Sequence, residues 1–261
     1  MRNMEGKVAL VSAGSKGLGR ASAMAIAKRG ANIALCSRNE DEVAATAAEI
    51  AKEADVETWH CAADLSKLGD VKKFVDGAVA HFGGVDVLVS NAGGPPPGEF
   101  DDLEDDDWYR AFDLSVMSAI RLVDNVLPHM RGRGYGRILF ILSTSVREPI
   151  DNLLLSNVMR PAVAGLSKSL ARDLAKDGIL VNVVAPGTIL TDRVRGRQQI
   201  TADKKDISLD EALEEAAERI PLGRLGEPSE FGAMVGFLAS PEASYVSGGY
   251  YPVDGARLKG I

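Results

Sequence analysis

Ser156 and Arg160 lie one helical turn apart in Leu155-Ser156-Asn157-Val158-Met159-Arg160-Pro161-Ala162-Val163, so a helix there puts a hydroxyl and a guanidinium on one face. Ser143 offers a second hydroxyl upstream. A guanidinium is permanently charged and presents a rigid fork of donors, and each hydroxyl adds one more. The set suits an anion, either a carboxylate or an enolate. It also suits plain packing along a helix or at a subunit contact. The region lacks a good proton donor: no Tyr lies between Tyr135 and Tyr245, and His129 is the last His in the chain. A phenol has an ordinary pKa of about 10 and an aliphatic hydroxyl is a far weaker acid. Asp151 would serve only if burial raised its pKa.

A second pattern suits phosphates. Ser12-Ala13-Gly14-Ser15-Lys16-Gly17-Leu18-Gly19 follows the apolar run Val8 to Ser12 and leads into a helical pattern. Glycines at such a strand-to-helix turn let the backbone approach a pyrophosphate, whose charge the amides and dipole of the helix start stabilise.

Both patterns need a frame, and the rest of the chain supplies one. Short apolar runs alternate with amphipathic stretches: Val8 to Ser12, Ile33 to Cys36, Val56 to Cys61, Val87 to Ser90, Ile138 to Leu142, Val181 to Ala185 and Tyr251 to Val253. Continuous apolar strands separated by helices predict an α/β fold, a doubly wound parallel sheet of about seven strands with helices on both faces. With 261 residues, 46% of them hydrophobic, and no internal repeat or linker, the expectation is a single domain over 1–261. One irregular stretch, Asp192 to Ser208, is expected to form a mobile flap within about 192–220. Ser208 and Glu211 form a capping-box pattern at the helix that follows it.

These segments together resemble the short-chain dehydrogenase/reductases over nearly the whole chain, and within them the 3-oxoacyl-carrier-protein reductase-like group. The glycine turn matches the family's Thr-Gly-x-x-x-Gly-x-Gly, with Ser12 in the Thr slot and Ala13 in the first Gly slot, a mild departure of one methyl group. Asp64-Leu65 matches the acidic segment at the adenine ring. Asn91-Ala92-Gly93 matches most of Asn-Asn-Ala-Gly, and Pro186-Gly187-Thr188 with Thr191 matches the nicotinamide segment. The resemblance implies a Rossmann fold and a bound dinucleotide. It also implies a catalytic tetrad, of which only Ser143 stands in its slot. Ser115 replaces the Asn, Ser156 replaces the Tyr, and Arg160 replaces the Lys that also holds the nicotinamide ribose. Cofactor choice follows from Cys36-Ser37-Arg38, where no carboxylate follows the second strand; Arg38 and Lys16 would hold a 2′-phosphate, so NADP is preferred to NAD.

The expectation is an NADP-dependent oxidoreductase acting on a carbonyl or alcohol substrate, a small molecule or an acyl thioester such as a 3-oxoacyl compound, by a modified proton relay. A different class of reading is an NADP-binding protein without redox turnover, acting as a sensor or an inactive partner in a hetero-oligomer. A net charge of -7 argues against a nucleic-acid partner. No apolar run is long enough to span a membrane, Met1 to Lys7 lacks an apolar signal region, and the expected compartment is the cytoplasm. Cys36 and Cys61 alone cannot build a disulfide framework or a metal cluster, so no metal is expected and both are assigned to the core. The resemblance of 237–255 to the family's last helix and strand implies a homotetramer or dimer. Gly93 to Gly98, rich in proline, is expected to wall a pocket, and the acidic run Asp101 to Asp107 to stabilise the start of a helix. Arg193, Arg195, Arg197, Lys204 and Lys205 give the flap a local positive charge, suited to cofactor phosphates or to an acyl-CoA or acyl-carrier partner, although such a charge run is more often a solvated loop.

Overall fold

Strands that are apolar on both faces must be covered on both, and that requirement sets the architecture. The computed structural model describes residues 2–260. Among these, seven strands form one parallel sheet: β1 (Val8–Val11), β2 (Asn32–Ser37), β3 (Thr58–Ala62), β4 (Val87–Ser90), β5 (Gly136–Ile141), β6 (Ile179–Pro186) and β7 (Tyr250–Val253). Every residue of β1, β4 and β5 is buried. Between the strands run α1 (Gly17–Ala27), α2 (Glu40–Ala54), α3 (Leu68–Phe82), α4 (Asp105–Phe112), α5 (Ser118–Arg133), α6 (Leu154–Asp173), α7 (Asp192–Lys205), α8 (Leu209–Glu218) and α9 (Pro228–Ala239).

The period-2 alternation of strand side chains sorts the core into two layers. Leu88, Ile138 and Phe140 meet Phe74 of α3, Leu122 of α5 and Val163 of α6 on one face. On the other, Val87, Val89 and Leu139 meet Ile26 of α1, Ile50 of α2 and Val235 of α9. Burying each such side chain stabilises the fold by about 1.5–3 kcal/mol before entropy is counted. Cys36 and Cys61 lie in the first layer, as buried free thiols in register on β2 and β3.

Strand order is β3-β2-β1-β4-β5-β6-β7, so the chain winds outward from β1 on one side and resumes at β4 on the other. Ligands of open α/β sheets bind outside the carboxyl ends of the strands at such a reversal. The amino ends are closed by Asp86, which is fully buried. Its carboxylate accepts from Lys7 Nζ (3.2 Å), Arg133 Nη1 (3.0 Å) and the Val8 amide (3.0 Å).

The expected irregular flap is corrected by the structure. Asp192–Lys205 forms the regular helix α7, with Thr191 Oγ1 accepting from the Val194 amide at its start and Lys204 and Lys205 in its last turn. Only Ala202 of this helix is buried, so its sequence has no apolar stripe to reveal it, and capping and charge at the termini were the only local signals. The Ser208–Glu211 capping box forms as expected at α8. Asp105, Asp106 and Asp107 occupy the first turn of α4.

Candidate active site

At the carboxyl end of β1 the backbone turns sharply. Ser12 Oγ donates to the Asn91 carbonyl (2.7 Å) and accepts from the Asn91 amide (2.9 Å), while Asn91 Nδ2 donates to the Ala13 carbonyl (3.2 Å). The segments after β1 and β4 are thus tied together at the sheet's reversal point. Gly14 and Gly19 leave no room for a side chain: a Cβ at Gly19 would drive into the Ala13 carbonyl, and one at Gly14 would lie 2.7 Å from Leu35 Cδ2. Ala13 adopts φ +47°, so the alanine in the first glycine slot carries a left-handed backbone as well as an extra methyl. Lys16 precedes α1 without a side-chain cap, leaving first-turn amides of the helix aimed outward as anion donors. This cradle fits a pyrophosphate.

Arg38, after β2, is exposed and makes no hydrogen bond or ion pair within 4 Å among the described residues. Lys16 instead pairs with Glu42 at 3.4 Å on the surface. The two cations are therefore unequal: Arg38 is free to meet a 2′-phosphate, and Lys16 is partly neutralised. Asp64 holds the Ser66 hydroxyl (2.8 Å) and amide (3.1 Å). Burial pushes its carboxyl up, but those hydrogen bonds, with Lys67 and Arg38 nearby, hold it below the usual range. Leu65 is buried beside it. On the nicotinamide side, the Gly187 amide donates to the Val253 carbonyl (2.9 Å) and a Cβ at Gly187 would lie 2.6 Å from Asp254 Cα. Thr188 Oγ1 accepts from Arg257 Nη1 (2.7 Å), and the Thr191 methyl faces Gly17 of the glycine turn.

The four residues assigned to the tetrad slots converge at the carboxyl end of β5. Ser143 opens a 3-10 turn, Thr144–Val146; its Oγ accepts from the Ser145 amide (3.0 Å), so its own proton remains free to donate. Ser115 sits in a π-helical turn, Asp113–Met117, packed on α6, a distortion that recurs at functional sites. Its hydroxyl is buried without a partner. Ser156 and Arg160, on α6, are each 9% exposed. Arg160 Nη1 donates to the Ile141 carbonyl (3.0 Å), while its Nε is buried without a partner. The guanidinium does not offer its whole fork to a ligand, because one arm is spent on β5. Burial, then the charge of Arg193, lowers the Arg160 pKa to about 10.

Sequence order hides one phenol. Tyr250, first residue of β7, donates its hydroxyl to the Ser143 carbonyl (3.0 Å), with the Arg147 guanidinium 4.9 Å above its ring. Burial pushes the phenol up to about 12, against the pull of Arg147, so it acts as a neutral brace on the Ser143 backbone. Only strand pairing reveals it, since β7 lies beside β6 and β6 beside β5. The proline-rich loop after β4 is pinned to the start of α6 by a parallel bridge between Gly98 and Leu153, and the Arg193 guanidinium lies against Gly94 and the Pro95 carbonyl (3.4 Å). Among the described residues no group of three or more His, Cys, Asp or Glu could hold a metal ion.

Residues 12–256 match the family model described as Enoyl-(Acyl carrier protein) reductase. The 3-oxoacyl-[acyl-carrier-protein] reductase FabG of Staphylococcus epidermidis is 33% identical over 251 residues, covering 95% of this chain and 98% of its own. The chain belongs to the short-chain dehydrogenase/reductases. The NADPH-dependent reductase BacG of Bacillus subtilis is 30% identical over 259 residues, covering 99% and 100%. L-sorbose reductase from Gluconobacter frateurii, solved with NADPH and L-sorbose, superposes with a TM-score of 0.96 at 32% identity, covering 100% of this chain and 99% of that one. A short-chain dehydrogenase/reductase thus presents here a phosphate cradle, an unpaired Arg38, and a cluster of hydroxyls and one guanidinium. That arrangement can bind a dinucleotide and polarise an oxygen beside it.

Proposed function

We propose that this protein is an NADPH-dependent oxidoreductase acting on a carbonyl or alcohol substrate, with 3-oxoacyl compounds among the candidates, through a proton relay without the family's phenol. The reading rests above all on two buried donors left without partners, Ser115 Oγ and Arg160 Nε, on elements packed together at the carboxyl end of β5. Buried polar groups are nearly always satisfied, so each donor left without a protein partner implies a ligand or a water. When bound, NADPH supplies the hydride. The glycine turn and the amides of α1 would hold its pyrophosphate, Arg38 its 2′-phosphate, and Thr188 and Thr191 its nicotinamide end. Ser143 donates its free proton in a hydrogen bond to the substrate oxygen, Ser156 supports it, and Arg160 stabilises negative charge there. Because positioned proton transfer contributes about 100 to 10,000-fold, its loss raises the barrier by roughly 3–5 kcal/mol, and reduction of simple ketones is expected to be slow.

The same reading makes the chain a homotetramer in the cytoplasm. Exposed Phe237 on α9 and exposed Phe112 and Ile120 around α4 and α5 support association, and two free thiols suit a reducing compartment. Calorimetric titration with NADPH, followed by turnover assays on 3-oxoacyl thioesters and small ketones, tests the function. Tight binding with slow but measurable NADPH oxidation is expected. Tight binding with no oxidation for any carbonyl would replace this reading with a cofactor-binding protein that does not turn over.

A further inference from the structure

Several arginines of this acidic protein pair with carboxylates: Arg20 with Glu49, Arg29 with Glu242, Arg131 with Asp177, Arg133 with Asp86 and Arg224 with Glu230. Others, such as Arg137, Arg172 and Arg219, stand alone, and four unpaired arginines lie together near the carboxyl ends of β4, β5 and β6. Arg160, Arg193, Arg197 and Arg257 have no carboxylate within 4 Å among the described residues. Arg160 is 9% exposed, with Nε unsatisfied. Arg193 and Arg197 stand one turn apart at the start of α7, and Arg257 reaches in from the segment after β7 to Thr188. Their heads are close enough to oppose one another's charge. Beyond the cost of burial, Arg193 lowers the pKa of Arg160, Arg197 that of Arg193, and Arg257 that of Arg197. Only Arg160 of the four is buried, Arg257 being half-buried and Arg193 and Arg197 exposed, so the cost of an uncompensated buried cation, several kcal/mol, falls on Arg160 unless an anion arrives.

The cofactor's own charges have other hosts. Its pyrophosphate would face the glycine turn and its 2′-phosphate Arg38, whereas the Arg193 head turns toward Gly94 and Pro95, on the loop after β4. Resting on the oxidoreductase reading above, we propose that Arg160, Arg193 and Arg197 form an anion subsite that selects substrates carrying a free carboxylate close to the reacting carbonyl. A carboxylate is planar and accepts a guanidinium fork in two parallel hydrogen bonds, which a neutral ester or thioester cannot match. The preferred substrates are then oxo acids, and a 3-oxoacyl thioester, whose carboxyl is masked, is a poor one.

The test uses linear and aromatic 2-oxo and 3-oxo acids alongside their methyl esters, titrated by calorimetry into the protein saturated with NADP+. At least one acid is expected to bind at least tenfold more tightly than its ester, and Arg193→Gln or Arg197→Gln to remove about tenfold of that preference. NADPH affinity, measured by cofactor fluorescence, is expected to stay within threefold in both variants. Esters binding as well as acids, or no acid binding at all, overturns the proposal. So does an equal loss of NADPH affinity in Arg193→Gln, which would assign the cluster to cofactor phosphates. Turnover of neutral esters without acid preference leaves the oxidoreductase reading intact while the subsite falls. Acids that bind and are never reduced leave the subsite intact while the redox reading falls.

Discussion

The sequence offers both Arg38 and Lys16 to a 2′-phosphate, and the structure separates them. Arg38 is unpaired, while Lys16 shares its charge with Glu42 across an exposed pair of the kind that contributes at most about 1 kcal/mol. Charge-assisted hydrogen bonds are worth about 1.5–3 kcal/mol, so Arg38→Ala is expected to weaken NADPH by about 10 to 100-fold and leave NADH almost unchanged. Lys16→Ala is expected to cost NADPH less than threefold. Equal calorimetric affinities of the unmutated protein for NADPH and NADH would contradict this assignment. Legibility at this scale was uneven. The identities of Ser115, Ser143, Ser156 and Arg160 stood in the sequence, but not that Arg160 spends one arm on the Ile141 carbonyl. Nor was the brace of Tyr250 on Ser143 visible, because it spans 107 positions and depends on strand order.

Among the elements, strands and most helices were legible because burial writes itself as apolar runs and stripes. α7 was not, since it is solvated on nearly every side and its caps alone marked it. Helix α9 carries a test of capping. Glu230 accepts from Arg224 (2.7 Å) and from the Glu227 amide (2.8 Å), and these contacts hold its carboxyl down at about 2, from an ordinary 4.5. A depressed carboxylate contributes stability that is complete above its unfolded pKa and is lost as pH falls through the folded one. Glu230→Gln is therefore expected to lower Tm at pH 7, with the difference from the unmutated protein shrinking below about pH 4.5 and vanishing near pH 2. A pH-independent difference in thermal scans would refute the linkage. At the opposite end of the sheet, Asp86→Ala strands Lys7 and Arg133 and is expected to cost about 3–5 kcal/mol, read by denaturant unfolding, with NADPH affinity unchanged.

The whole molecule sets the Asp86 network and the residues assigned to the site at opposite ends of one sheet: Asp86 ties the amino ends, and Ser143 and the Arg160 contact to Ile141 lie at the carboxyl end of β5. As a homotetramer it is expected to give a light-scattering mass near four times 27.7 kDa at micromolar concentration, and a monomer mass would contradict that assembly. The central claim is an intact cofactor site joined to a missing proton donor. Its most direct test is the turnover number of Ser156→Tyr with Arg160→Lys, made together so that a phenol meets an ammonium, against the unmutated protein on the same ketone. The account predicts a rise of at least about 100-fold, with the NADPH dissociation constant changed less than threefold. Brisk ketone reduction by the unmutated protein, unaffected by Ser143→Ala or Ser156→Ala, would contradict it.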